Sequence, residues 1–342
     1  MNLPVTEHVT RSARHTTAYL ACGPADGTPV ILAHGWPELA ISWRHQLRCL
    51  GQLGFRAIAP DMRGYGRSSQ YPTHADYALE HSVADMLELL DSLGAGRAIW
   101  VGHDWGTPVV WSMASHHPER CFGVAALCVP YLPQGFTPAT CEPYIDRRVY
   151  PREQFPAGQW DYMHYYEEHF ERAQAVYEAN PLATVKAMFR RGDPAARGKP
   201  SRLAGSRATG GIFGPLDAAP DFPLDPQVLD EEDLHQYAAS LARNGFFGPN
   251  SWYLNAQANF AYAQRARHSA CLDMPVLFFH AAHDYVCETI DSTLAQPMRV
   301  ACPRLTELTV ASGHWMAQEK PVEVNAGLAR WLGREFPTLW RV

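Results

Sequence analysis

The sequence predicts an α/β fold, a mostly parallel sheet interrupted once by an inserted, largely helical cap. Three observations carry this reading. Four short apolar runs, "PVILAHG", "FRAIAPD", "RAIWVGH" and "FGVAALCVP", recur through the first third with room for helices between them, as parallel strands buried on both faces do. After residue 130 that alternation stops, and aromatic and helical patterns take over to about residue 256. Strand signals then return with "MPVLFFHA" and "LTELTVAS", and the chain closes on the amphipathic "PVEVNAGLARWLGREF". Two pieces that resume one alternation build one sheet. The expected division is therefore a core of residues 1–130 and 257–342 and a helical cap of residues 131–256.

The connecting elements follow in order. Leu79, Val83, Met86, Leu87, Leu90 and Leu93 recur at helical spacing, and Gly94 is a stop signal. In "IWVGHDWGTPVVW" an apolar strand runs through a turn of small residues into a helical segment. The insertion holds the aromatic stretch "QWDYMHYYEEHF", the helical run "ATVKAMFRRG" and the acidic helix start "DEEDLHQYAASLARNG". Between them, "RRGDPAARGKPSR" is broken by prolines and glycines and reads as a solvated loop rather than a phosphate-binding patch. "GSRATGGIFG" lacks a G-K-[ST] ending and follows no strand, so it reads as a cap loop, not a nucleotide cradle.

Composition narrows the classes. With 46% hydrophobic and 19% charged residues in 342, the chain can bury a core and is unlike a disordered one. A net charge of -6 gives no electrostatic footprint for nucleic acid or an anionic membrane. Eight cysteines without a C-x-x-C pair read as reduced thiols. The first residues lack an apolar signal region, and no run of about 18 apolar residues occurs. The expected location is the cytoplasm.

Chemistry gathers at strand ends. "VGHDWG" has the strand-to-helix elbow that exposes a nucleophile, with Asp104 at its centre and Gly102 and Gly106 around it. An Asp at a helix start also serves as a plain N-cap. Asp284 in "FFHAAHDYV" and His314 in "VASGHWM" each follow an apolar run, in the order nucleophile, acid, histidine. That succession favours a catalytic set over a cap. His280 and His283 beside Asp284 resemble a metal cluster by type, but strand alternation points the two rings apart, so no metal site is expected.

The motifs resemble those of the epoxide hydrolases of the α/β-hydrolase fold over nearly the whole chain. "HGWPELAISWRHQ" is similar to that family's H-G-x-P segment, "DMRGYGRSS" to its next loop, "GHDWG" to its elbow and "SGHWMAQEKP" to its histidine loop. "WDYMHYY" and "GFFGPNSWYLN" resemble the two cap segments that each present a tyrosine to the epoxide oxygen. Helical spacing alone leaves Tyr162, Tyr165 and Tyr166 open; the resemblance selects Tyr162, together with Tyr253. It implies a small-molecule epoxide and water as partners, with no cofactor.

The nucleophile type fits that chemistry. Serine attack on an epoxide carbon would leave an inert ether, whereas a carboxylate leaves an ester that water can hydrolyse. Asp104 is thus expected to attack, His314 to activate water, and Asp284 to orient the imidazole. Backbone N–H groups of Trp36 and Trp105 are the expected oxyanion donors. His34, Pro37, Trp160, Tyr165, Tyr166 and Trp315 are expected to line the substrate site. Dehalogenases of this fold share an Asp elbow, but an opening epoxide becomes a basic alkoxide and needs an acid, which tyrosine is. A hydrolase-fold ligand-binding protein that has lost catalysis is a further alternative, disfavoured by the complete residue set. The chain is expected to act as a monomer or a homodimer.

Overall fold

A computed structural model describes residues 3–340. Eight strands, β1 (Thr6–Arg11), β2 (Thr16–Cys22), β3 (Pro29–Ala33), β4 (Arg56–Pro60), β5 (Ala98–His103), β6 (Cys121–Leu127), β7 (Val276–Ala281) and β8 (Leu305–Val310), form one sheet in the order β1-β2-β4-β3-β5-β6-β7-β8. The β1–β2 and β2–β4 pairs are antiparallel and every other pair is parallel. All six expected strands are present. β3, β5 and β7 are buried at every residue, which is why they read as unbroken apolar runs. The β1–β2 hairpin was not expected. β1 is exposed along nearly all its length and carries no apolar alternation to announce it.

Helices α1 (Arg44–Gln52), α2 (Leu79–Ser92) and α3 (Gly106–His116) connect the strands of the first half. Between β6 and β7 the chain is helical, without a strand among the described residues. The segment contains α4 (Asp161–Glu168), α5 (Phe170–Glu178), α6 (Pro181–Met188), α7 (Glu231–Asn244) and α8 (Ala256–Ala263). α7 begins at a capping box in which the Asp230 carboxylate accepts from the Asp233 N–H, and it packs on α6. After β8 the chain ends on α9 (Pro321–Glu335), whose Val324, Leu328, Trp331 and Leu332 turn inward.

No helix among the described residues is long and apolar enough to cross a membrane. The eight cysteines are free, Cys49 and Cys271 half-buried and the others buried. The parallel registers bring the carboxyl ends of β3, β5 and β6 level, with Ala33 opposite Gly102 and Gly102 opposite Ala126. The loops that leave this edge converge on one place, as they do in open α/β sheets.

Candidate active site

Asp104 leaves β5 with φ at 48°, a left-handed conformation uncommon for a residue with a side chain. This is the strain of a nucleophile elbow. The small flanking residues follow from close approach: a Cβ on Gly106 would lie 2.1 Å from the Ala33 carbonyl oxygen, and one on Gly102 would lie 2.7 Å from that of Gly106. A larger residue at either position would push α3 off the sheet.

The carboxylate is held on two sides. Trp36 donates its N–H to Asp104 Oδ1 at 2.6 Å, and His314 Nε2 stands 3.4 Å from Oδ2. His314 Nδ1 donates to Asp284 Oδ2 at 2.6 Å. Asp284 Oδ1 in turn accepts the N–H groups of Val286 and Cys287 at 3.0 and 3.1 Å. Burial raises the Asp284 pKa, but His314 and those two N–H groups outweigh it and leave the carboxyl below its usual range. Burial likewise pushes the His314 imidazole down, yet the charge of Asp284 and the hydrogen bonds to Asp104 and Asp284 hold its pKa well above the ordinary value. The sequence-expected trio therefore forms one connected chain of charges.

A second buried pair, not anticipated from the sequence, ties the loops together. Glu38 Oε2 accepts the Gly35 N–H at 2.8 Å and His103 Nδ1–H at 2.7 Å, and His103 Nε2 donates to the His314 carbonyl at 2.8 Å. Burial opposes the charge on His103, but Glu38 beside it lifts the pKa to about 10. His103, Cys128 and His314 offer donor atoms within 4.8 Å of one another. His103 and the Cys128 thiol both spend their hydrogens on the His314 carbonyl, however, so this group reads as a clasp on the histidine loop.

Aromatic residues from the helical segment face the carboxylate across a cavity of about 530 Å³. Tyr162 from α4, Tyr166 and Tyr253 line it with Trp36, Asp104, His314 and Trp315. The Tyr162 and Tyr253 rings meet edge to face at 5.8 Å, and Tyr166 stacks on Tyr253 at 4.4 Å. The Tyr166 hydroxyl shares a hydrogen bond with that of Tyr177 at 2.9 Å; the Tyr253 oxygen has the Trp105 side chain as a hydrogen-bond partner, and that of Tyr162 has none among the described residues. Burial first, then Asp104 among the nearby charges, raises both phenols well above 10, so they keep their protons. Trp105 packs its indole edge on against Tyr253 at 5.1 Å. Among the described residues its N–H makes no hydrogen bond to Asp104.

Four of the expected lining residues do not border the cavity. His34 is fully buried and spends Nδ1 on the Gly35 carbonyl while Nε2 accepts the Met62 N–H, so it shapes the loop from behind. Pro37, one residue past Trp36 after a cis peptide bond, belongs to the same turn. Trp160 is fully buried and packs edge-on against Phe136. Tyr165 points the other way from Tyr162, donating its hydroxyl to the Gly210 carbonyl at 2.9 Å. Positions i+3 and i+4 both lie near the face of residue i, so packing decides which of Tyr165 and Tyr166 joins Tyr162 at the cavity. The i, i+4 partner, Tyr166, does. The stretch of residues 190–202 is largely solvent-exposed, as expected, while its Arg190, Arg191, Lys199 and Arg202 also border the cavity.

Comparisons with known proteins agree on one kinship. The family model described as alpha/beta hydrolase fold matches residues 28–321. Epoxide hydrolase A of Mycobacterium tuberculosis is 36% identical over 90% of this chain and 91% of its own length. Bifunctional epoxide hydrolase 2 of Sus scrofa is 34% identical over 90% of this chain, which spans about half of that relative, 51% of its length. The crystal structure of epoxide hydrolase A from Mycobacterium thermoresistibile superposes with a TM-score of 0.79 at 32% identity, covering 96% of this chain and 98% of that one.

Proposed function

The chain belongs to the α/β-hydrolase-fold epoxide hydrolases, and we propose that it opens a small-molecule epoxide to a vicinal diol through an ester on Asp104. The observation that carries this reading is the Asp104 carboxylate, which faces two phenols that retain their protons. We read residues 1–130 and 257–342 as the core, residues 131–256 as a cap, and the protein as cytoplasmic.

In the first step Asp104 attacks an epoxide carbon, the C–O bond breaks, and Tyr162 and Tyr253 donate hydrogen bonds and a proton to the departing oxygen. A neutral phenol suits this better than a halide-binding N–H, because an alkoxide is a strong base. In the second step water attacks the ester carbonyl, His314 takes its proton, and Trp36 with Trp105 stabilises the oxyanion. Collapse then breaks the ester C–O bond, the leaving diol oxygen takes the proton back from His314, and the regenerated Asp104 carboxyl returns its own to the tyrosinate. Charge explains the order of events. While Asp104 is an anion, it helps hold His314 protonated. Esterification removes that charge, so the pKa of His314 falls at the point where a base is needed. Asp284 keeps the imidazole oriented throughout.

A single turnover in heavy-oxygen water with enzyme in excess tests the route. The diol of that turnover should be unlabelled and the peptide containing Asp104 should gain the label. With His314→Gln the ester should persist, and the intact protein should gain the mass of one substrate. A labelled first diol with no adduct would reduce Asp104 to an electrostatic role.

A further inference from the structure

Where the chain leaves α6, residues 188–193 meet the neighbours of both Asp284 and His314. The Met188 carbonyl accepts the Trp315 indole N–H at 2.8 Å, and the Phe189 ring stacks on that indole at 4.4 Å. Gly192 lies backbone to backbone against Gly313. A Cβ on Gly192 would stand 2.5 Å from the Gly313 nitrogen and 2.6 Å from the His283 Cβ, and a Cβ on Gly313 would meet the Gly192 nitrogen. The Asp193 carbonyl accepts the Tyr285 hydroxyl at 2.7 Å. Residues 283, 285, 313 and 315, which flank the acid and the base of the triad, thus all rest on one short stretch of the helical segment.

Glu319 fastens this seam. Its Oε2 accepts the Gly192 N–H at 3.1 Å and the Gly313 N–H at 2.8 Å, one from each side. Hydrogen bonds to a carboxylate are about twice as strong as those between neutral groups. Glu319 has no ion pair among the described residues, so the two N–H groups are what its charge serves. From the core side His314 is held by its carbonyl, which accepts from His103 and Cys128. The groups of ring opening stand elsewhere. The Trp36 N–H holds Asp104, and Tyr162 and Tyr253 come from other parts of the helical segment. A shift at the seam therefore displaces the base and its orienting acid before it displaces the nucleophile or the phenols.

We propose that residues 188–193 are a clamp on the Asp284–His314 pair and that Glu319 is the positioning residue that closes it, so that hydrolysis of the ester depends on Glu319 and ring opening does not. A general base must stand within hydrogen-bond reach of the water it activates, and a misplacement of about 1 Å can cost about a hundredfold in rate. The kinetic part rests on the ester route proposed above; the clamp itself does not.

Hydrogen exchange followed by mass spectrometry reads the clamp without turnover. Glu319→Ala should speed exchange in the peptides carrying Gly192 and Gly313 by about tenfold or more, while the peptide of β6 stays as slow as in the wild type. Glu319→Gln keeps a carbonyl oxygen for the same two N–H groups and should restore most of the protection. Rapid-quench mass spectrometry with styrene oxide then separates the two steps. In Glu319→Ala the alkyl-enzyme should decay about tenfold or more slowly and form within about threefold of the wild-type rate, so that kcat and KM fall together. A merely structural loss would lower the amount of active enzyme and leave KM unchanged. Gly192→Ala, whose Cβ forces the seam apart with Glu319 in place, should give the same split. Unchanged exchange in Glu319→Ala, or formation and decay slowed equally in both variants, would overturn the clamp. Faster exchange in Glu319→Ala, with no ester on Asp104 of the wild type from styrene oxide or 1,2-epoxyoctane, would uphold the clamp and overturn the hydrolysis.

Discussion

The sheet edge and the helical segment each supply half of the site, and they fix their halves by different means. At the sheet edge, every reacting group is held by a polar bond of its own. The Trp36 N–H and His314 hold Asp104, Asp284 holds His314, and two backbone N–H groups hold Asp284. Across the cavity, Tyr162 and Tyr253 are held by ring packing, with the Trp105 side chain also hydrogen-bonded to the Tyr253 oxygen. The electrostatic machinery is thus fixed before substrate arrives, while the acid is positioned by shape and left free to bond the substrate. Preorganised charge costs no reorganisation during the reaction, and an indole N–H can only donate, so the hydrogens of both hydroxyls stay available to the epoxide oxygen.

The strongest challenge to this contrast comes from the helical side. If two hydrogen bonds share the developing alkoxide charge, Tyr162→Phe and Tyr253→Phe should each lower the rate of ring opening by about a hundredfold, and the double variant should nearly abolish it. Stopped-flow measurement of alkyl-enzyme formation isolates that step. A double variant that still opens the ring at the rate of either single one would mean that only one phenol is the acid.

On the sheet side, the contrast can be sharpened through Glu38. His103 has its pKa raised to about 10 beside Glu38. A raised folded-state pKa adds stability that is fully present below the unfolded value of about 6.5 and is lost as pH climbs through about 10. Glu38→Gln removes the charge that raises it. The variant should be less stable than the wild type by about 3 kcal/mol at pH 6, as expected when a buried pair loses one partner. The gap should narrow as pH approaches 10. His314, also raised, adds a slope common to both proteins and does not alter the difference. Denaturant unfolding at several pH values reads this directly. A gap constant across that range would mean that His103 is not the charged partner.

These two means of support also account for what the sequence disclosed. Asp104, Asp284 and His314 were legible because a strand end, a glycine-flanked turn and a fixed order along the chain each leave a local mark. The Glu38–His103 pair was not. Nothing local distinguishes a buried glutamate from the exposed one its type suggests, and its partner lies 65 positions away. That cations of the exposed stretch 190–202 also border the cavity was not legible for a related reason. Prolines and glycines predict a loop, but whether a loop's side chains face solvent or a cavity depends on what it packs over. β1 escaped notice because an exposed edge strand needs no apolar face. Tyr165 and Tyr166 differ by one position, and the direction of a helix face is set by the neighbours it packs against.

That last ambiguity gives the smallest expected effect and a sensitive control on the helical side. Tyr165 differs from Tyr162 only in where its hydroxyl goes, to the Gly210 carbonyl rather than the cavity. Gly211, with φ at 129°, packs directly under the ring, so the contact pins the loop that follows α6 to α4. Removing the hydroxyl should cost stability and not chemistry. Tyr165→Phe keeps the ring packing and forfeits one partly buried hydrogen bond, a loss of about 1 kcal/mol in unfolding free energy. Turnover should stay within about twofold of the wild type, against the hundredfold expected of Tyr162→Phe. Thermal or denaturant unfolding and steady-state rates on the same preparation measure both quantities. If Tyr165→Phe slows ring opening as Tyr162→Phe should, α4 is rotated in solution by about one residue from the orientation described. The acid would then come from the face assigned here to loop support.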